Sequence, residues 1–208
     1  MNMTLYKMKM KNSFSGKSGF TLVEVIITLV ITVIVIAVSS SLVITGTNIF
    51  ARSAQRDVQQ NIAETVLTFV SEQLLYAETI TEMTNPPVFE NAGGAAIMQI
   101  KKSTTETYSD TKGQLFFRRA QDSQNPINIF GSNFYGNYEV GITLEITIPA
   151  AGPSVTVTVN VYSSNSTDPN PVITRTTTRP LLNYTGTEKT IPSAGSGFCI
   201  YYVPRVFS

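Results

Sequence analysis

At 208 residues the chain has room for one ordinary globular domain plus an appended segment, and little room for a second domain. It has no histidine and a single cysteine, Cys199, which excludes Ser-His-Asp and Cys-His nucleophile systems, an intramolecular disulfide and the commonest transition-metal ligand. Of 15 basic residues, set against 14 acidic, Lys7, Lys9, Lys11 and Lys17 all precede Phe20, so the remainder is mildly acidic and lacks the basic excess of a protein that holds duplex DNA by its phosphates.

The leading lysines run into a long apolar stretch in which, between Ser18 and Ala51, Glu24 is the only charged side chain. As a helix, residues 20–44 span roughly 37 Å, enough to cross a hydrocarbon core of about 30 Å with some tilt. Positive charge before the span places the N-terminus in the cytoplasm and everything after Thr45 outside. Ser39-Ser40-Ser41 through Thr45-Gly46-Thr47 is the weak point of this helix, because poor helix formers cluster there.

Farther on, the apolar pattern becomes one-sided. Val58, Ile62, Val66, Phe69, Val70 and Leu74 recur at steps of three and four, the stripe of an amphipathic helix. Asn85-Pro86-Pro87 stops it, so the helix is expected to end near Thr84. Beyond lies strand-forming sequence. Val140, Ile142, Leu144, Ile146 and Ile148 alternate with polar residues, as do Val155, Val157, Val159 and Val161, and the turn residues 149–153 between them predict an antiparallel hairpin with one buried face. Weaker strand signals cover 97–101, 114–118, 172–177 and 198–203, separated by loop-like runs rich in Ser, Thr, Asn and Pro. Cys199, between Phe198 and Ile200, reads as a small buried apolar residue. The expected fold is α+β, with a long N-terminal helix over 20–84, membrane-spanning in its first half, packed by its second half on an antiparallel β-sheet head over 85–208.

The junction Lys17-Ser18-Gly19-Phe20-Thr21-Leu22-Val23-Glu24 has a feature that a plain anchor does not need. An ionised acid at the centre of a bilayer costs about 2.5 kcal/mol or more, and acids within such helices usually mark function. Glu24 needs a partner, and a cut just before Phe20 creates a free α-amine four residues away. The segment resembles the cleavage and methylation signal of type IV prepilins and pseudopilins, with the close likeness covering residues 17–38. The resemblance implies a leader over 1–19, cut after Gly19 by a membrane prepilin peptidase, N-methylation of the new terminal Phe20, and assembly in which Glu24 pairs with a neighbouring subunit's terminal amine. It also implies other pilin or pseudopilin subunits, a cytoplasmic-membrane assembly platform and membrane lipid as partners. Neither a cofactor nor a metal is implied.

The chain departs from the family pattern in three respects. Cys199 alone cannot close the C-terminal disulfide loop of many major pilins, Ser41 stands where many have proline, and the head is larger than that of a small major pseudopilin. These features favour a minor pilin or minor pseudopilin, and Glu24 separates the chain from tip pseudopilins that lack the acid. The same helix chemistry serves retractile pili, secretion pseudopili and DNA-uptake (competence) pseudopili.

A secretory signal has only about 7 to 15 apolar residues, and neither that nor a plain anchor accounts for Glu24 or the Gly19-Phe20 junction. An enzyme is disfavoured because Glu106, Asp110, Asp122, Glu139, Glu145 and Asp168 are scattered over loop and outward strand positions. The alternative is a single-pass, membrane-anchored β-domain binding module outside any filament. It requires Lys101-Lys102, Arg118-Arg119, Arg175 and Arg179 to converge on DNA or another acidic surface, whereas paired charges at strand ends are more simply read as solvated.

Overall fold

The computed structural model describes residues 19–83, 95–102, 110–119, 126–166, 168–192 and 197–204. The leader up to Ser18, the Asn85-Pro86-Pro87 stop, Glu106 and Asp122 lie outside these residues. The chain divides into two units, 1–52 and 53–208, and helix α1, Leu22–Leu74, contributes to both.

In the first unit α1 is apolar all round. Val33, Ile34, Val35 and Ile36, set about 100° apart round the helix, are all exposed. Such a helix suits lipid or a bundle of like helices. The Ser/Thr-rich stretch is helical throughout, and its hydroxyls are satisfied by the backbone carbonyls of the turn before. Ser39 and Ser40 donate to the carbonyls of Val35 and Ile36, each at 2.8 Å, and Thr45 donates to that of Ser41 at 3.0 Å. Thr28 and Thr32 do the same nearer the start, donating to Glu24 O at 2.6 Å and Thr28 O at 2.7 Å.

In the second unit the helix buries Ile62, Val66, Val70 and Leu74, one residue per turn, with Ala63 beside them. Two members of the expected stripe behave differently. Val58 is 49% exposed and lies outside the core, while Phe69 is half-buried and turns to an aromatic group, edge-on to Phe117 at 5.3 Å and to Phe130 at 5.7 Å. The helix also ends earlier than the sequence suggests. It stops at Leu74, well before Thr84, and Ala77–Glu82 forms strand β1. β-branched Thr79, Ile80 and Thr81 favour that conformation, and pairing with the C-terminal strand supplies the hydrogen bonds that a further helical turn would have made.

The head contains two antiparallel sheets where a single sheet was expected. The first has the order β1-β9-β2-β3-β4, with β2 at Ala96–Lys101, β3 at Gln114–Arg118, β4 at Ile127–Asn128 and β9 at Cys199–Pro204. The second has the order β7-β6-β5-β8, with β5 at Tyr138–Thr147, β6 at Ser154–Ser163, β7 at Ile173–Pro180 and β8 at Lys189–Ile191. A short helix, α2, Ser132–Tyr135, precedes β5. The central hairpin has the register that its alternation requires, with Val140 opposite Val161, Ile142 opposite Val159 and Leu144 opposite Val157. All of these are buried in one core with the α1 stripe and with Ala96, Met98, Ile100, Leu115, Ile200 and Tyr202 of the first sheet. Cys199 is likewise fully buried.

The two sheets touch at Gly113 and Val140, which exchange backbone hydrogen bonds at 2.9 and 2.7 Å. Only glycine fits at 113, because a Cβ there would stand 2.4 Å from the Lys101 carbonyl oxygen. Lys189 Nζ on β8 donates to the Ile80 carbonyl on β1, a second tie between the sheets.

Candidate functional site

The residues around Gly19 and Phe20 are described from Gly19 onward, and neither residue is in the helix. Phe20 is 84% exposed, and a Cβ on Gly19 would meet nothing within 4 Å. The Gly19–Phe20 peptide bond therefore lies in open, non-helical chain, the form in which a peptidase can bind a backbone.

Thr21 and Glu24 start the helix together. The Thr21 hydroxyl oxygen accepts the Glu24 N–H at 3.3 Å, and Glu24 Oε2 accepts the Thr21 N–H at 2.9 Å and its hydroxyl proton at 3.0 Å. This is a reciprocal capping box, in which each side chain satisfies a backbone donor that the first turn leaves unpaired. The carboxylate also sits at the positive end of the helix dipole. In the uncut chain, then, Glu24 is engaged by Thr21. Thr21 is the residue that reading for charge alone passes over, although the spacing Thr21-x-x-Glu24 just before an apolar run is the signature of such a cap. Both hydrogen bonds fall on Oε2, and Oε1 accepts none among the described residues.

A prokaryotic N-terminal methylation motif matches residues 14–40. Over this segment the chain is similar to the prepilin-type methylation-motif proteins. No curated protein and no solved structure matches the chain. The motif covers the leader junction and the apolar part of α1 and does not reach the sheets. The segment carries an N-terminal methylation signal like that of type IV prepilins, and the motif implies processing by a prepilin peptidase. The chain's apolar N-terminal helix is consistent with membrane anchoring.

The basic residues of the head do not form one patch. Lys101 and Arg118, read from sequence as solvated strand-end charges, are buried on the first sheet, and Lys101 Nζ lies 5.2 Å from the centre of the Phe116 ring. Arg175 is on the second sheet, its Nε 3.7 Å from Glu64 Oε1. Lys101 and Arg118 are therefore not on the surface that a phosphate-neutralising patch would need. Of the acids, Asp110 accepts the Lys102 N–H at 3.1 Å and Asp168 caps its own loop through Asn170 at 2.9 Å, both structural tasks.

Proposed function

We propose that this pilin-like chain is a structural subunit, a minor pilin or minor pseudopilin, of a type IV pilus-like filament. It is cut between Gly19 and Phe20, methylated on the Phe20 amine, held in the cytoplasmic membrane by residues 20–44 with the head outside, and assembled through α1 with like subunits on a membrane platform. The observation that carries this reading is the junction itself, where an exposed non-helical Gly19–Phe20 bond stands beside a helix whose apolar first half has Glu24, fixed at the first turn, as its single acid.

The capping box supports a role for Glu24 in assembly. Oε2 holds the carboxylate against its own helix, and Oε1 is left to a neighbouring subunit's amine. In a low-dielectric bundle a charge pair of this kind penalises wrong stagger more than it adds to stability. The size of the head, which carries two sheets, supports a minor subunit.

Intact-mass measurement on chain recovered from cells with an active prepilin peptidase tests the first step, with expected cleavage before Phe20 and a single added methyl group. Probing sheared-filament fractions for the subunit tests the second. Chain that keeps residues 1–19 would overturn the processing, and a processed chain missing from every filament fraction would overturn assembly.

A further inference from the structure

Each sheet has edges, and the fold treats them unequally. On the first sheet, the free side of β1 is covered by the segment after β7, where the Leu182 N–H donates to Leu75 O at 3.1 Å, the Thr185 N–H to Glu78 O at 2.9 Å, and Lys189 Nζ to Ile80 O. The opposite edge, β4, has two residues, and β8 of the second sheet has three. β7 has eight residues, and Thr174, Thr176 and Thr178 along it are all exposed. Among the described residues it is the long edge left open.

Its hydrogen-bonding phase can be read from the register. Leu181 N–H donates to Pro153 O at 2.8 Å, and in the same register Arg179 pairs with Val155, Thr177 with Val157 and Arg175 with Val159. In an antiparallel ladder, alternate residues exchange hydrogen bonds with the partner strand. The odd-numbered residues therefore bond β6, while Thr174, Thr176 and Thr178 turn their N–H and C=O groups outward. The threonine side chains are already engaged across the ladder, Thr178 with Thr156 at 2.9 Å, Thr176 with Thr158 at 3.2 Å and Thr174 with Asn160 at 2.7 Å.

We propose that β7 is a docking edge for an extended strand of another protein, one that carries carboxylates four residues apart on one face. Arg175 and Arg179 stand on the core-side face of β7, roughly 13 Å apart by strand rise. A strand added beside β7 presents side chains at the same spacing. Glu64 takes one side of Arg175 at 3.7 Å, and Arg179 has no acid against it among the described residues. Charged side chains along an edge reject neutral and apolar strands, so they select the occupant while they guard the edge. A second copy of this chain pairing β7 to β7 would set Arg175 and Arg179 of both copies on one face, where like charges oppose each other. The inference does not depend on filament assembly.

The probe is the fluorescently labelled peptide Thr-Glu-Thr-Val-Thr-Glu-Thr, blocked at both ends and titrated into the full chain in detergent micelles. Saturable anisotropy is expected, with slowed hydrogen exchange at the amides of Thr174, Thr176 and Thr178. A peptide with Lys in place of Glu should bind about tenfold more weakly. Thr176→Pro should abolish binding while preserving the melting temperature, because that N–H makes no bond to β6. Where the variant melts early, two peptides N-methylated at alternate residues in opposite phases replace it, and one phase should bind while the other fails. The proposal is overturned by absent or non-saturable binding, by equal binding of the Lys peptide, by unchanged binding to a folded Thr176→Pro chain, or by equal binding of both N-methylated phases. Concentration-dependent dimerisation that Thr176→Pro removes would assign the edge to a second copy instead.

Discussion

The phenol of Tyr202 donates to Gln73 Oε1 at 2.9 Å, tying β9 to the last turn of α1. Tyr135 is buried as well, and its oxygen accepts the Leu115 N–H at 3.0 Å. Burial pushes both phenols well above the usual tyrosine range. The folded head keeps them protonated, whereas the unfolded chain ionises them near pH 10. Above about pH 10 the unfolded state binds fewer protons, so stability that is fully present below that point falls as pH rises. Denaturant midpoints should be flat on the neutral side and drop in alkali, and Tyr202→Phe should reduce the drop. Alkaline midpoints equal to neutral ones would contradict this.

Ile62 and Val58 are one turn apart on α1, with Ile62 fully buried and Val58 open to solvent. Ile62→Ala should cost the head about 2–5 kcal/mol, and Val58→Ala less than about 0.5 kcal/mol. Denaturant unfolding of the two variants in the full chain, followed by tyrosine fluorescence, measures the difference. Equal losses would mean that the core is not organised on this face.

Two glycines should respond in opposite directions to alanine. Gly113→Ala sets a methyl against the Lys101 carbonyl and should destabilise the head by about 1–3 kcal/mol. Gly46 is helical with nothing within 4 Å of a Cβ, so Gly46→Ala should strengthen α1 by about 0.5–1 kcal/mol. Hydrogen exchange along 42–50 and head unfolding separate the two effects.

The capping box predicts a graded series at the helix start. Thr21→Ser should leave filament recovery unchanged, while Thr21→Val, which loses a cap contributing about 1 kcal/mol, should lower it. Glu24→Gln should lower it further, and Glu24→Leu, which keeps neither cap nor charge, should be the worst, with cleavage and head folding retained throughout. The readout is subunit per sheared filament, and normal recovery of Glu24→Leu would remove the acid from assembly.

Much of the head was legible where burial is one-sided over many residues. The β5–β6 hairpin shows strict alternation, and β2, β3, β7 and β9 fall close to their sequence signals. β8 and α2 are too short to carry a period. β1 was hidden because Tyr76, Ala77 and Glu78 are compatible with a continuing helix and the double proline drew the expected stop toward Thr84; only pairing with β9, a long way off in sequence, decides for strand. The division into two sheets depends on such distant pairings, and so does the burial of Lys101 and Arg118. At the N-terminal junction the residue identities were fully visible, but the partner of Glu24 depended on where the helix begins, and a helix start at Leu22 makes Thr21 the cap.

The hydroxyls of α1 have a consequence for what can surround the helix. Thr28, Thr32, Ser39, Ser40 and Thr45 are each closed onto a carbonyl of the same helix, so none of them needs a particular neighbour. Such a helix can exchange lipid tails for the flanks of other helices without breaking a hydrogen bond, and its transfer between those surroundings is governed by apolar contact alone. Within the apolar half of the helix, the Glu24 carboxylate at the first turn is the one charged group that a change of surroundings would have to accommodate.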